Sequence, residues 1–174
     1  MNYKKIFLIG PMGSGKTTIG KILSNKINFN FFDSDDEIIK KMNKSINNIF
    51  NIHGELYFRN IEKEIIKYIY YNNNNIVLST GGGSIEDKEN RKIFKKGLTI
   101  FLNVNINNQI NRISNNINRP LLSNNEKDNI DILYDIYKRR INYYINSSNI
   151  IINTDNLSIN TIIKYIIKII NKIK

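Results

Sequence analysis

A chain of 174 residues, 41% hydrophobic and 24% charged, has the size and mix of one globular domain able to bury a real core. It has no cysteine and one histidine, so disulfides, thiolate metal sites and a zinc site at His53 are excluded, and His53 reads as structural. The net charge of +11 would suit nucleic acid or an anionic membrane, but its lysines are spread along the chain without aromatic-basic interleaving. Neither partner is expected; Lys, Asn and Ile are simply abundant, and the charge favours anionic small molecules.

The N-terminal Lys4-Lys5 and Ile6 to Ile9 are too short for a signal peptide, and no apolar run nears the ~20 residues of a membrane span. A cytosolic protein is expected. Lys4 to Ile9 reads as a strand and Thr18 to Ile27 as a helix. Between them, Gly10-Pro11-Met12-Gly13-Ser14-Gly15-Lys16-Thr17 fits G-x-x-x-x-G-K-[ST]. Strand, glycine loop and helix make a phosphate cradle, in which backbone N–H groups and the helix N-terminus face phosphate oxygens. Gly13, Ser14, Gly15, Lys16, Thr17 and Thr18 are the candidate nucleotide-binding residues. Lys16 would neutralise β/γ-phosphate charge and the Thr17 hydroxyl would ligate Mg²⁺. ATP and Mg²⁺ are the expected cofactors.

Phe29 to Phe32 is a short strand ending in Asp33-Ser34-Asp35, and Asp36 to Met42 resumes helical spacing. Alternation along an extended segment would place the Asp33 and Asp35 carboxylates on one side, one for Mg²⁺ or its waters and one for a substrate hydroxyl; a helix-capping role is compatible. Ser45 caps a helix over Ile46 to Ile52, Gly54 breaks the chain, and Glu55 to Tyr71 is helical. Arg59 and Glu62 share a face there, so a carboxylate could orient a guanidinium toward an anion.

Ile76 to Ser79 is a strand leading into Thr80-Gly81-Gly82-Gly83, whose glycines permit positive φ and close backbone approach to a ligand. Glu86 to Lys96 is a helix closed by Gly97, Leu98 to Leu102 a strand, and Ile106 to Ile113 a helix. The polar segment Ser114 to Asn129 holds Arg119 and reads as a mobile lid able to bring that arginine to a transferring phosphoryl group. Ile130 to Ile145 is a helix, Ile150 to Ile152 a strand and Ser158 to Ile173 a helix, with Lys164, Lys168 and Lys172 on its wet side. The Asn clusters are loops, and no linker divides residues 1–174. Alternating strands and helices imply an α/β fold, a parallel sheet covered on both faces, with ligands beyond the strand C-termini.

The stretches GPMGSGKTT, FFDSD, GELYFRNIE, LSTGGG and RPLL, in this order and spacing, resemble the shikimate kinase family over nearly the whole chain. The resemblance implies a three-layer sandwich with a five-stranded parallel sheet in the order 2-3-1-4-5. It implies transfer of the ATP γ-phosphate to the 3-hydroxyl of shikimate, in aromatic amino-acid biosynthesis, by a cytoplasmic enzyme expected to be a monomer. Lys16, Asp35 and Arg119 would be catalytic, Thr17 and Asp33 would serve the metal, and Arg112 would pack on adenine. Asp35, Arg59, Gly82 and Arg139 would bind shikimate. The family's Arg-x-Pro-Leu-Tyr is degraded here to Arg139-Arg140-Ile141-Asn142-Tyr143; Arg139 keeps the spacing to Tyr143, and Arg140 competes with it. Ile39 stands where an acidic residue is common. The alternatives are another small-acceptor kinase of this fold, for gluconate or a nucleotide, and a non-catalytic ATP-binding relative.

Overall fold

The computed structural model describes residues 3–113 and 126–172. Five parallel strands form one sheet: β1 (Lys5–Ile9), β2 (Asn30–Asp33), β3 (Ile76–Ser79), β4 (Leu98–Asn103) and β5 (Ile150–Asn153), in the order β2-β3-β1-β4-β5. The expected α/β architecture and strand order are both present. β1 is central, with Phe7 opposite Leu78 of β3 and Thr99 of β4. The two-residue period of an extended chain sends its side chains to opposite faces. Phe7 and Ile9 enter one core with Ile38, Ile66, Phe94 and Phe101; Ile6 and Leu8 enter the other with Ile19, Leu23, Ile162 and Ile166.

Helices supply those two covers. α1 (Lys16–Ile27) and α7 (Ile159–Lys172) lie on one face. The other is packed by α2 (Ser34–Met42), α3 (Ile46–Asn72) and α4 (Lys88–Phe94), with Tyr144 from α6 (Glu126–Ser147). α5 (Ile106–Ile113) follows β4 and has the bounds its spacing predicts. The chain from β1 returns through β3 on one side of it and β4 on the other. The crevice above β1 is therefore the point where strand order reverses, the place where such sheets take ligands.

Several boundaries differ from expectation for local reasons. β2 runs one residue further, to Asp33, and α2 starts at Ser34 because the Asp33 carboxylate accepts from the Asp35 N–H at 3.0 Å and caps it. Asp35 is thus in a helical first turn, and the extended alternation invoked for the two carboxylates ends at Asp33. The helix expected over 86–96 is shorter: Ser84–Glu86 is a 3-10 turn, and the Asp87 carboxylate caps α4 by accepting from Glu89 and Asn90 N–H. α6 starts at Glu126, four residues before its apolar periodicity does, so the end of the segment expected as a lid is helical. The rest of that segment, with Arg119, lies outside the described residues. Asn28, Asn43 and Asn75 adopt positive φ of 57°, 49° and 53°, so asparagine fills left-handed turn positions in this Asn-rich chain.

Gly54 interrupts α3 with φ 79° and ψ 172°, a conformation open essentially to glycine alone. A Cβ there would meet nothing within 4 Å, so backbone strain is the whole penalty of a substitution. Gly54→Ala is expected to lower unfolding free energy by about 1–3 kcal/mol, read by urea denaturation; an unchanged midpoint would mean that the break is dispensable.

Candidate active site

The phosphate loop stands at the C-terminal end of β1. Gly10 has φ 145°, and a Cβ on it would fall 2.3 Å from the Leu102 carbonyl oxygen of β4, so loop and neighbouring strand touch through bare backbone. Gly15 (φ 89°) turns the chain into α1, whose N-terminus faces the loop. Lys16 Nζ folds across the loop, donating to the Gly10 carbonyl at 2.9 Å and the Pro11 carbonyl at 2.8 Å. Its ammonium therefore sits within the ring of backbone that would surround a phosphate.

Beside it, Thr17 Oγ1 donates to Asp33 Oδ2 at 2.7 Å. One hydroxyl from the first turn of α1 and one carboxylate from the end of β2 form a hard oxygen pair that fits Mg²⁺, an ion that takes few protein ligands and completes its shell with phosphate and water. Among the described residues no group of three or more His, Asp or Glu could hold a metal by itself. These residues, with Gly13, Ser14, Thr18, Asp35 and Gly82, line an open cleft of about 640 Å³. Arg112 also lines it, donating to the Gly13 carbonyl at 3.2 Å and the Thr154 carbonyl at 2.9 Å, and so joins the phosphate loop to the segment after β5.

Two of the three glycines, Gly81 and Gly83, work by their lack of volume. None of Gly81, Gly82 and Gly83 has a positive φ, contrary to the conformational part of the expectation. A Cβ on Gly81 would lie 2.3 Å from Glu62 Oε1 and 2.9 Å from Asp35 Oδ1; one on Gly83 would lie 2.2 Å from an Arg59 nitrogen. The strand end is stripped so that three charged side chains can crowd against it. Ser34, fully buried, accepts from the Gly81 N–H at 2.8 Å and pins the turn to α2.

Arg59 Nη1 donates to Glu62 Oε2 at 2.7 Å, and its Nε and Nη2 donate to Glu55 at 3.2 and 3.0 Å. The expected orientation of a guanidinium by the carboxylate one turn on is thus in place. Glu62 is 1% exposed. Burial pushes its pKa up to about 7; Arg59 opposes the shift and Asp35 adds to it. His53 is exposed, and its ring lies tilted against that of Tyr57 with centroids 4.5 Å apart.

A family model described as shikimate kinase matches residues 12–171. The chain belongs to the shikimate kinase family. It is 40% identical over 169 residues to the shikimate kinase of Buchnera aphidicola subsp. Baizongia pistaciae, covering 97% of both chains. It is 44% identical over 125 residues to that of Francisella tularensis subsp. holarctica, covering 71% of each. The solved shikimate kinase of Acinetobacter baumannii in complex with shikimate superposes with a TM-score of 0.93 at 32% identity, over 99% of this chain and 95% of that one.

The family's Arg-x-Pro-Leu-Tyr can be laid on α6 in two registers, and the helix faces separate them. Arg139 is 58% exposed and Tyr143 is half exposed, beneath the Arg91 guanidinium at 4.3 Å. Arg140 is 2% exposed, and Tyr144 is buried against Phe101 with ring centroids 4.9 Å apart. Burial raises the Tyr144 pKa, so the phenol keeps its proton and donates to the Gly82 carbonyl at 2.5 Å. The inward pair is Arg140 and Tyr144, and Arg139 sits at the rim. Both registers keep the Arg-to-Tyr spacing, so only the side of the helix that meets the sheet distinguishes them. Glu86 carries no sequence signal of its own.

Because the Glu62 pKa is raised above the ordinary 4.5 to about 7, the native state holds a proton that the unfolded chain has lost between those values. The contribution of Glu62 to stability is present below about pH 4.5 and is lost as pH rises to about 7. Glu62→Gln is expected to flatten that fall in a series of denaturant midpoints; a slope identical to wild type would rule Glu62 out as its source.

Proposed function

We propose that this chain transfers the γ-phosphoryl group of ATP to the 3-hydroxyl of shikimate, giving 3-phosphoshikimate and ADP. The observation that carries the reading is the pairing of a complete phosphate loop with Arg59, held by Glu62 against the triple-glycine turn. A small anion with vicinal hydroxyls needs a cation for its carboxylate and an oxygen acceptor for its hydroxyls, and Arg59 and Asp35 are those types. In this reading Arg140, rather than Arg139, is the second carboxylate cation, because it is buried beside Tyr144 and its charge acts on Glu62.

Phosphoryl transfer then rests mainly on positioning and charge neutralisation. Lys16 and the loop N–H groups hold the β/γ-phosphates. Thr17 and Asp33 would hold Mg²⁺, which supplies neutralisation of phosphate charge when bound. Asp35, at the N-terminus of α2 and on the cleft wall, orients the acceptor hydroxyl and takes up its proton. Arg112 borders the adenine end. Arg119 is assigned to the transferring group from its place in the RPLL stretch. Gly82 contributes backbone contact with the substrate. We take residues 1–174 as one domain acting as a cytoplasmic monomer on this small molecule, without a nucleic-acid or membrane partner; no helix among the described residues is long and apolar enough to cross a membrane.

The test is Mg²⁺-dependent ADP release from ATP with and without shikimate, with Lys16→Ala as the blank. Strong release only with shikimate is expected; activity with gluconate or a nucleoside monophosphate instead would establish another acceptor. Arg59→Ala should raise KM for shikimate by about 10–100-fold, the loss of a charge-assisted pair, while KM for ATP changes little. Equal losses for both ligands would refute the Arg59 assignment. Arg119→Ala should cut turnover by about 100-fold or more with ATP affinity mostly kept, and unchanged turnover would remove Arg119 from the mechanism.

A further inference from the structure

Burying a guanidinium requires a bound counter-charge, since removing one partner of a buried pair strands the other. Arg140 meets this requirement through Glu86, whose Oε1 accepts from Arg140 Nε. The same oxygen accepts from Arg139 Nη2 at 3.2 Å. Burial alone would raise the Glu86 pKa, but the two arginines outweigh it and hold the carboxyl below its usual range, so it stays ionised. Arg140 Nη2, next to Nε on the guanidinium, is buried and has no hydrogen-bond partner among the described residues. Glu86 therefore takes up Nε and leaves Nη2 unspent.

The backbone of Glu86 is fixed as well. Arg91 Nη1 donates to the Ile85 carbonyl at 2.7 Å and the Glu86 carbonyl at 2.6 Å, while its guanidinium covers the Tyr143 ring. With Arg140 and Tyr144 as the ends of the family's pattern, Asn142 and Tyr143 stand where that pattern has proline and leucine. In this chain the substituted position itself joins the brace: Tyr143 supports Arg91, Arg91 holds the 3-10 turn, and Glu86 on that turn holds Arg140.

We propose that Glu86 is a positioning residue for the carboxylate end of the acceptor site, gripping Arg140 by Nε so that its Nη side is presented to the substrate anion. The role rests on the shikimate reading above. It makes a prediction opposite in sign to simple electrostatics. A carboxylate that only neutralised local charge would, on removal, leave two arginines freer to attract an anion and tighten substrate binding. A positioning carboxylate loosens it, because the fork loses its orientation.

The experiment is steady-state kinetics of Glu86→Ala and Glu86→Gln against both substrates, with shikimate and its neutral methyl ester as acceptors. Glu86→Ala should raise KM for shikimate about tenfold, with KM for ATP moving far less. Glu86→Gln, which keeps an acceptor oxygen for Nε, should recover much of that loss. For the methyl ester, which offers no anion, wild type and Glu86→Ala should differ little. An unchanged or lowered KM for shikimate in Glu86→Ala would overturn the proposal, as would an equal rise for shikimate and its ester. A lower melting temperature with unchanged KM would reduce Glu86 to a brace for α6 and overturn it too. Turnover of shikimate by the unaltered chain is the separate readout: its absence would defeat the substrate reading, and the role of Glu86 with it.

Discussion

Burial of β1 on both faces is the constraint from which the site follows. A central parallel strand cannot end in a side-chain-rich loop, because the neighbouring strand β4 reaches the same level and its Leu102 carbonyl meets Gly10 directly. The chain must leave β1 as nearly bare backbone and turn at once into α1, and that is also the geometry that gathers N–H groups around an anion. The packing of the sheet and the cradling of phosphate thus make the same demand on residues 10–15. Asp33, at the end of β2, closes the arrangement by bonding Thr17 across the crevice.

The other half of the site is organised by charge compensation around two buried groups, Glu62 and Arg140. Arg59 is held by Glu62 and Glu55, and Arg140 by Glu86; both cations lie near the Gly81–Gly83 turn or its 3-10 continuation. Each arginine would be costly to bury alone, and each carboxylate fixes an orientation while it offsets that cost. Glu62 is the least comfortable member, nearly without solvent and beside Asp35, which is why its proton affinity rises while that of Glu86 falls. The pattern suits a small anionic ligand: preset cations need little reorganisation when the anion arrives.

Asparagine shapes much of the rest. Three turn positions with left-handed backbone carry asparagine, two of them at helix C-termini. A chain rich in Asn and sparing with Gly can keep such turns because the Asn side chain tolerates this region better than most. Glycine is then concentrated where space itself is needed, in the phosphate loop and at residues 81–83.

The order of strands and helices, the phosphate loop and its lysine and threonine, the break at Gly54 and the Arg59–Glu62 pair were all legible in the chain, because each depends on local spacing or on a motif whose residues touch the same phosphate. Boundaries set by capping were less so: Asp33 and Asp87 start helices through side-chain bonds that hydrophobic periodicity does not register. What only the tertiary structure decided was phase and crowding. Adjacent arginines on α6 differ by about 100° around the helix, and packing of that helix on the sheet buries Arg140 and leaves Arg139 at the rim. In the triple glycine, readable as a flexible turn, Gly81 and Gly83 are required because Glu62, Asp35 and Arg59 arrive from other elements to fill the space a Cβ would need. Contacts between residues distant in the chain leave no periodic trace in it, and the Arg140–Glu86 pair and the crowding at Gly81 and Gly83 are such contacts.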